Sequence, residues 1–280
     1  MYKSLNAPAI GIKNLALPDL IALAKSTGFA GVDFDMGEAL ATPDAPGLFK
    51  AAAIRPAQWG LPVSGVQSEW AVDLALLADC ARLAAELGSP RCATWVPSWS
   101  DSRDLADNIA VHIDRLTPVA RVLADHGCVL GLEFLGPVTL FRDHEFAFIH
   151  QMAPMMDMAR QIGPNVGLLL DAWHLFTSGG TLADLARLSA RDIVHVHIND
   201  APVGVPFDQA SDNVRQLPLE TGVLDLPGFM RTLATMGYDG PVTTEPFNAR
   251  LNAIAARDPG AAAAEVSAAM DRLWRIGGLG

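Results

Sequence analysis

Asn165-Val-Gly-Leu-Leu-Leu-Asp-Ala-Trp-His174 reads as a buried strand that ends in chemistry. Val166 to Leu170 is continuously apolar, the pattern of a strand covered on both faces rather than on one. Asp171 stops the run, and His174 follows three residues later. Three other runs close in the same way: Cys128-Val-Leu-Gly-Leu-Glu133, Asp192-Ile-Val-His-Val-His197 and Gly240-Pro-Val-Thr-Thr-Glu245. Each leaves one side chain able to bind a metal at its C-terminal end.

Working outward from these four runs, strand-like and helix-like segments alternate along the whole chain. Pro8–Ile12, Phe29–Met36, Leu61–Val66 and Arg91–Val96 are expected as the first four strands. Between them lie Pro18–Gly28, the Pro-interrupted stretch Glu38–Trp59, and Trp70–Leu87 closed by Gly88. Asp104–His126, His144–Ile162, Leu182–Ser189, Leu224–Met236 and Pro259–Ile276 carry helical spacing in the second half. Strict alternation implies βαβ units and a parallel sheet. Eight such units fit the α/β class as one closed (β/α)8 barrel over residues 1–280, close to the typical length of about 250 residues. An open doubly wound sheet competes less well, because neither Gly-x-Gly-x-x-Gly nor a Walker lysine follows the first strand.

In such a barrel the strand ends form the face where chemistry is done. Glu133, Asp171, His197 and Glu245 are therefore expected to form one metal site. Three carboxylates and one imidazole make a hard, oxygen-rich donor set, which favours Mn²⁺ or Mg²⁺ and tolerates Co²⁺ or Fe²⁺. Four protein ligands leave room for a substrate to chelate through a hydroxyl and a carbonyl. Glu133 and Glu245, coming from strands on different sides, are the natural acid/base pair for moving a proton beside that carbonyl. His195 lies two residues before His197 on the same strand face and reads as a barrel-interior group. Removing Asp171 is expected to lose the metal without unfolding the core. Trp70, Trp95, Trp99, Trp173 and Phe247 are candidates for an apolar pocket wall.

The motifs Leu132-Glu133, Asp171-Ala-Trp-His174, His197-Ile-Asn-Asp200, Leu217-Pro-Leu-Glu-Thr-Gly222 and Thr244-Glu245-Pro246 carry a resemblance. The chain resembles the sugar phosphate isomerase/epimerase family of the xylose isomerase-like TIM barrel superfamily, with its endonuclease IV-like fold. The resemblance implies a divalent metal, often manganese, on the four residues named above, with the two glutamates as acid and base. It implies that His174 contacts the substrate beside the metal and that Arg215 reaches it from the segment after strand seven. Family members are often dimers or tetramers, so the resemblance allows a homo-oligomer without selecting one. The turn usually written Pro-Gly-Glu-Gly in that family reads Pro218-Leu-Glu-Thr-Gly222 here. The DNA-repair branch needs further histidine ligands, but Val214 stands where one would fall and no histidine precedes His112.

Composition narrows the choice. A net charge of −11 disfavours a nucleic-acid partner, which needs a basic surface. No apolar run reaches membrane-spanning length, and the N-terminus shows no signal-peptide pattern. Three cysteines without CxxC spacing suit a reducing, cytoplasmic setting. The expected function is a metal-dependent isomerase or epimerase of a ketose or keto-polyol, with a small-molecule sugar, cyclitol or keto-acid as substrate. The alternative is a metal-dependent dehydratase of keto-inositol or dehydroshikimate type. It shares the first proton transfer and adds an acid for the leaving hydroxyl, a part His174 is placed to play.

Overall fold

The apolar runs close on themselves. In a computed structural model describing residues 1–64 and 71–278, eight parallel strands form a barrel in chain order. They are β1 (Tyr2–Leu5), β2 (Gly31–Phe34), β3 (Arg55–Gly60), β4 (Arg91–Val96), β5 (Val129–Phe134), β6 (Val166–Asp171), β7 (Ile193–Ile198) and β8 (Pro241–Thr244). Closure sets Ser4 opposite Thr243, so the first and last strands share a seam and no barrel edge is left open. Successive side chains point to opposite faces of a strand. Leu130, Leu132, Leu168, Leu170, Val196 and Val242 are buried in the apolar core. The intervening positions Glu133, Asp171, His195, His197 and Thr243 carry the polar interior.

The helices around the barrel start where the sequence offers a cap. Asp73 accepts backbone N–H groups at the start of α4 (Leu74–Leu87), and Asp104 does so for α5 (Leu105–Asp125). Gly88 ends α4 with a left-handed φ of 68°. Met152, Met155, Met156 and Met158 of α6 (Met152–Ile162) are all buried, so this methionine cluster packs.

Two strand expectations need correction. The first strand is Tyr2–Leu5, and Pro8–Ile10 is a single 3-10 turn. Pro8 has no N–H for a ladder, and the Asn6 side-chain oxygen accepts from Ala9 N at 3.3 Å, bending the chain out of the sheet. The third strand is Arg55–Gly60 rather than Leu61–Val66. Helix α3 (Ala45–Ala52) stops at Ala53 in the left-handed region, φ 56°, so the chain leaves the helix just before Arg55. Trp59, taken from sequence as helical, is wholly buried on β3, and its indole donates to Ser89 O. Val63–Ser64 pairs instead with Ala71–Val72 in a small antiparallel ribbon. Gln67, Ser68, Glu69 and Trp70, expected in the loop after strand three, lie outside the described residues. The helix expected over His144–Ile162 begins only at Met152, because Phe146–Ala147 pairs with Trp99–Ser100.

One further device positions the site. Asp200 is fully buried, and its carboxylate accepts from the backbone N–H groups of Ala201, Thr221, Gly222 and Leu224. It thereby ties down the long segment after β7, and Gln216 bridges back to Asp200. Arg215 is held over the barrel mouth as a result.

Candidate metal centre

Side-chain alternation aims the ends of β5, β6 and β7, and the residue after β8, at one point. One ligand atom each from Glu133, Asp171, His197 and Glu245 lies within 4.8 Å of all the others. His197 Nδ1 stands 3.1 Å from Glu245 Oε2 and 3.4 Å from Glu133 Oε1. Yet Glu133 Oε1 and both ring nitrogens of His197 are buried without an aligned hydrogen bond. A buried polar atom left in this way costs about 1–3 kcal/mol, and three converging carboxylates add repulsion. A single divalent cation would be shared by the three carboxylates and by His197 Nδ1, the ring nitrogen that faces them, and the donors are three oxygens and one nitrogen with no thiolate. The residues present therefore fit a hard divalent metal.

The two glutamates differ in environment. Burial pushes Glu133 up to about 7, against the opposing pull of His197. Burial also pushes Glu245 up, but His197 and Arg215 more than offset it and hold it below the usual range. His197 is raised well above its ordinary value, since Glu245 and Glu133 outweigh the effect of burial.

His174 sits in the first turn of α7 (Ala172–Thr177), whose N-cap is the candidate ligand Asp171 itself. Its Nδ1 accepts from the backbone N–H of Gly136 at 3.1 Å, which places the ring proton on Nε2. Arg215 Nη2 stands 3.4 Å from Nε2. A neutral ring cannot accept on both sides, and the shorter, backbone-fixed contact decides the tautomer. Gly136 has to be glycine for this approach, since a Cβ there would run into the His174 carbonyl. Nε2 then faces Glu133, Asp171 and Asp212 at 3.7–3.9 Å. Burial drives the imidazole down to about 3, so it stays neutral.

Arg215, 2% exposed, also reaches the centre, but its donors are already used. Nη1 lies 2.8 Å from Asp171 Oδ2, Nη2 lies 2.7 Å from Asp212 Oδ1, and Nε donates to Asp212 O. No strand or helix period points Asp212 at the centre; the sequence marks it only as the first position of the Asp-x-His motif that Val214 leaves incomplete. Arg142 and Arg250 are engaged away from the centre. Arg142 donates to Asp208 O, and Arg250 pairs with Glu220 and Glu265.

A cavity of about 560 Å³ opens over the candidate ligands Glu133, His197 and Glu245, with Trp95, Trp99 and Phe247 on its walls. Trp173 is not among them. It is fully buried, with the Arg215 guanidinium 5.5 Å from its ring centre. Trp173→Ala is accordingly expected to destabilise the fold by about 3–5 kcal/mol, the range for large buried aromatics. Urea unfolding measures this; unchanged stability with weakened ligand binding would return the residue to the pocket wall. Below the centre, His195 is a barrel-interior group: Nε2 is 3.3 Å from Asp33 Oδ2 and 3.0 Å from Thr243 Oγ1. Asp35, two residues beyond Asp33, caps α2 (Met36–Ala41).

The fold and site invite comparison with known proteins. A xylose isomerase domain protein from Alicyclobacillus acidocaldarius subsp. acidocaldarius superposes with a TM-score of 0.84 at 28% identity, covering 99% of each chain. The inosose isomerase of Bacillus licheniformis is 26% identical over 54% of this chain and 52% of its own length. A 3-dehydroshikimate dehydratase of Pseudomonas aeruginosa is 31% identical over 46% of this chain and 20% of its own. The chain thus spans about half the length of the inosose isomerase it matches, and far less of the dehydratase. The family model for xylose isomerase-like TIM barrels matches residues 21–273, nearly the whole barrel, and the chain belongs to that family.

Proposed function

We propose that the chain is a divalent-metal-dependent isomerase or epimerase that moves a proton beside the carbonyl of a ketose or keto-polyol. The observation that carries this reading is the convergence of Glu133 and Glu245, from different sides of the barrel, on one candidate metal centre. Two carboxyls so placed can divide the labour of acid and base. A bound Mn²⁺ or Mg²⁺ would polarise the substrate carbonyl and acidify the neighbouring C–H. Glu245, held as the carboxylate, takes the proton, and Glu133 returns one. His174 offers its Nε2–H to a substrate oxygen as a neutral donor. Arg215 holds Asp171 and Asp212 in place, and the tryptophan wall of Trp95 and Trp99 covers the apolar face of a sugar or cyclitol ring.

The dehydratase reading has the likeness to 3-dehydroshikimate dehydratase in its favour. It needs an acid for the leaving hydroxyl. His174, neutral with a fixed tautomer, is poorly suited to that part, which leaves Glu133. The three cysteines are buried free thiols, consistent with a cytoplasmic protein. No helix among the described residues is long and apolar enough to cross a membrane.

The test is proton exchange. Protein loaded with Mn²⁺ is incubated in D₂O with ketoses, keto-inositols and keto-acids and followed by NMR. Deuterium entering the carbon beside the carbonyl, with a new isomer or epimer, is the expected result. Loss of water from the substrate would establish the dehydratase instead.

A further inference from the structure

The four candidate ligands are not equally well held. Asp171 is gripped by Arg215, by the Trp173 N–H and by Asn199. Among the described residues Glu245 has one neutral side-chain partner, and it comes from the other end of the barrel's strand order. Asn6 Nδ2 donates to Glu245 Oε1 at 2.7 Å. The barrel seam explains the meeting. Ser4 lies opposite Thr243 across the β1–β8 pair, so two residues further on Asn6 comes opposite Glu245. The other end of the amide is committed as well: Asn6 Oδ1 accepts from Ala9 N at 3.3 Å, inside the turn that Pro8 begins. With its oxygen fixed by the backbone, the NH₂ end must face the carboxylate. The second carboxylate oxygen, Oε2, is left turned toward His197 Nδ1 at 3.1 Å.

We propose that Asn6 is the positioning residue of the centre, holding one oxygen of Glu245 so that the other is presented to a divalent cation. This rests on the reading of Glu133, Asp171, His197 and Glu245 as metal ligands. The chemistry of the amide suits the task. A lysine or arginine in its place would also orient Glu245, but it would cancel the charge that attracts the cation. A neutral donor orients the carboxylate and leaves its charge available. Partners of this kind behind metal ligands typically account for about 10–100-fold in metal affinity. The arrangement also ties the metal centre to barrel closure, because the residue that steers the last ligand leaves the first strand.

The probe is Mn²⁺ alone, titrated into metal-free protein and followed by the electron-spin resonance of the free ion. Asn6→Ala and Asn6→Ser are compared with the wild type. Serine still offers Ala9 N–H an acceptor but is too short to reach Glu245, so it keeps the turn and removes the donor. Both variants are expected to raise the Mn²⁺ Kd by about 10–100-fold while the metal-free unfolding midpoint of Asn6→Ser stays at the wild-type value. On a Glu245→Ala background, the same Asn6 changes are expected to have no further effect, since the residue acts through that carboxylate. Three results would overturn the inference: an unchanged Kd in both variants, an equal loss on both backgrounds, or an unfolded Asn6→Ser. Wild-type protein that takes up no Mn²⁺ would overturn the ligand reading itself. That outcome is distinct from a wild type that binds and an Asn6 variant that binds equally well.

Discussion

Glu245→Gln is expected to reduce turnover by about 10²–10⁴-fold, the usual contribution of a positioned proton-transfer group. The change is close to isosteric. The glutamine oxygen can still accept from Asn6 Nδ2, so the seam between β1 and β8 is kept. What disappears is the negative charge that faces His197 Nδ1 at 3.1 Å and supports its raised proton affinity. Metal affinity should fall too, because one of three anionic donors becomes neutral. The two losses separate under Mn²⁺ titration: excess metal restores occupancy, whereas turnover stays low because no base has been restored. Rates measured at saturating Mn²⁺ decide the matter. Turnover at the wild-type level there would remove Glu245 from the acid/base pair and leave it a ligand only.

Why Glu133, Asp171, His197 and Glu245 were legible in the sequence has a physical reason. A barrel strand buried on both faces admits few polar residues. A carboxylate or imidazole that closes an apolar run therefore marks the strand end and the site together. The short strands lack this contrast. Arg55-Pro-Ala-Gln-Trp-Gly60 mixes exposed and buried positions and contains a proline, so it carries neither the continuous apolar signal nor a clean alternation. Tyr2–Leu5 has four residues, too few to show a period. Asn6 was missed for a related reason: its partner lies 239 residues away, and only closure of the ring brings them together. Asp212 and Asp200 act from irregular segments, where spacing carries no information about direction. Trp173 misled because its neighbours Asp171 and His174 face the site. In the first turn of α7 the Trp173 side chain is instead buried in the core.

Asp171→Ala is expected to abolish metal binding and, contrary to the expectation from sequence, to weaken the fold by about 3–5 kcal/mol. The sequence shows Asp171 as the end of a strand, whose loss the barrel core should not feel. In the structure the same carboxylate caps α7 through Trp173 N, accepts from Asn199 Nδ2 and faces Arg215 Nη1 at 2.8 Å. Alanine removes the candidate ligand and strands a buried guanidinium with Asp212 as its one remaining close ion-pair partner among the described residues. Two comparisons separate these effects. Asp171→Asn keeps an oxygen for the helix cap and so should retain more stability than alanine while still losing the metal. Adding Arg215→Leu to Asp171→Ala removes the stranded charge and should recover part of the lost stability, a coupling that a double-mutant cycle reads directly. Elemental analysis reports the metal and urea unfolding reports the fold. Full metal content in Asp171→Ala would dismantle the four-ligand centre. A loss of metal with stability unchanged would show that Arg215 finds other partners, and that Asp171 is a ligand without being a support.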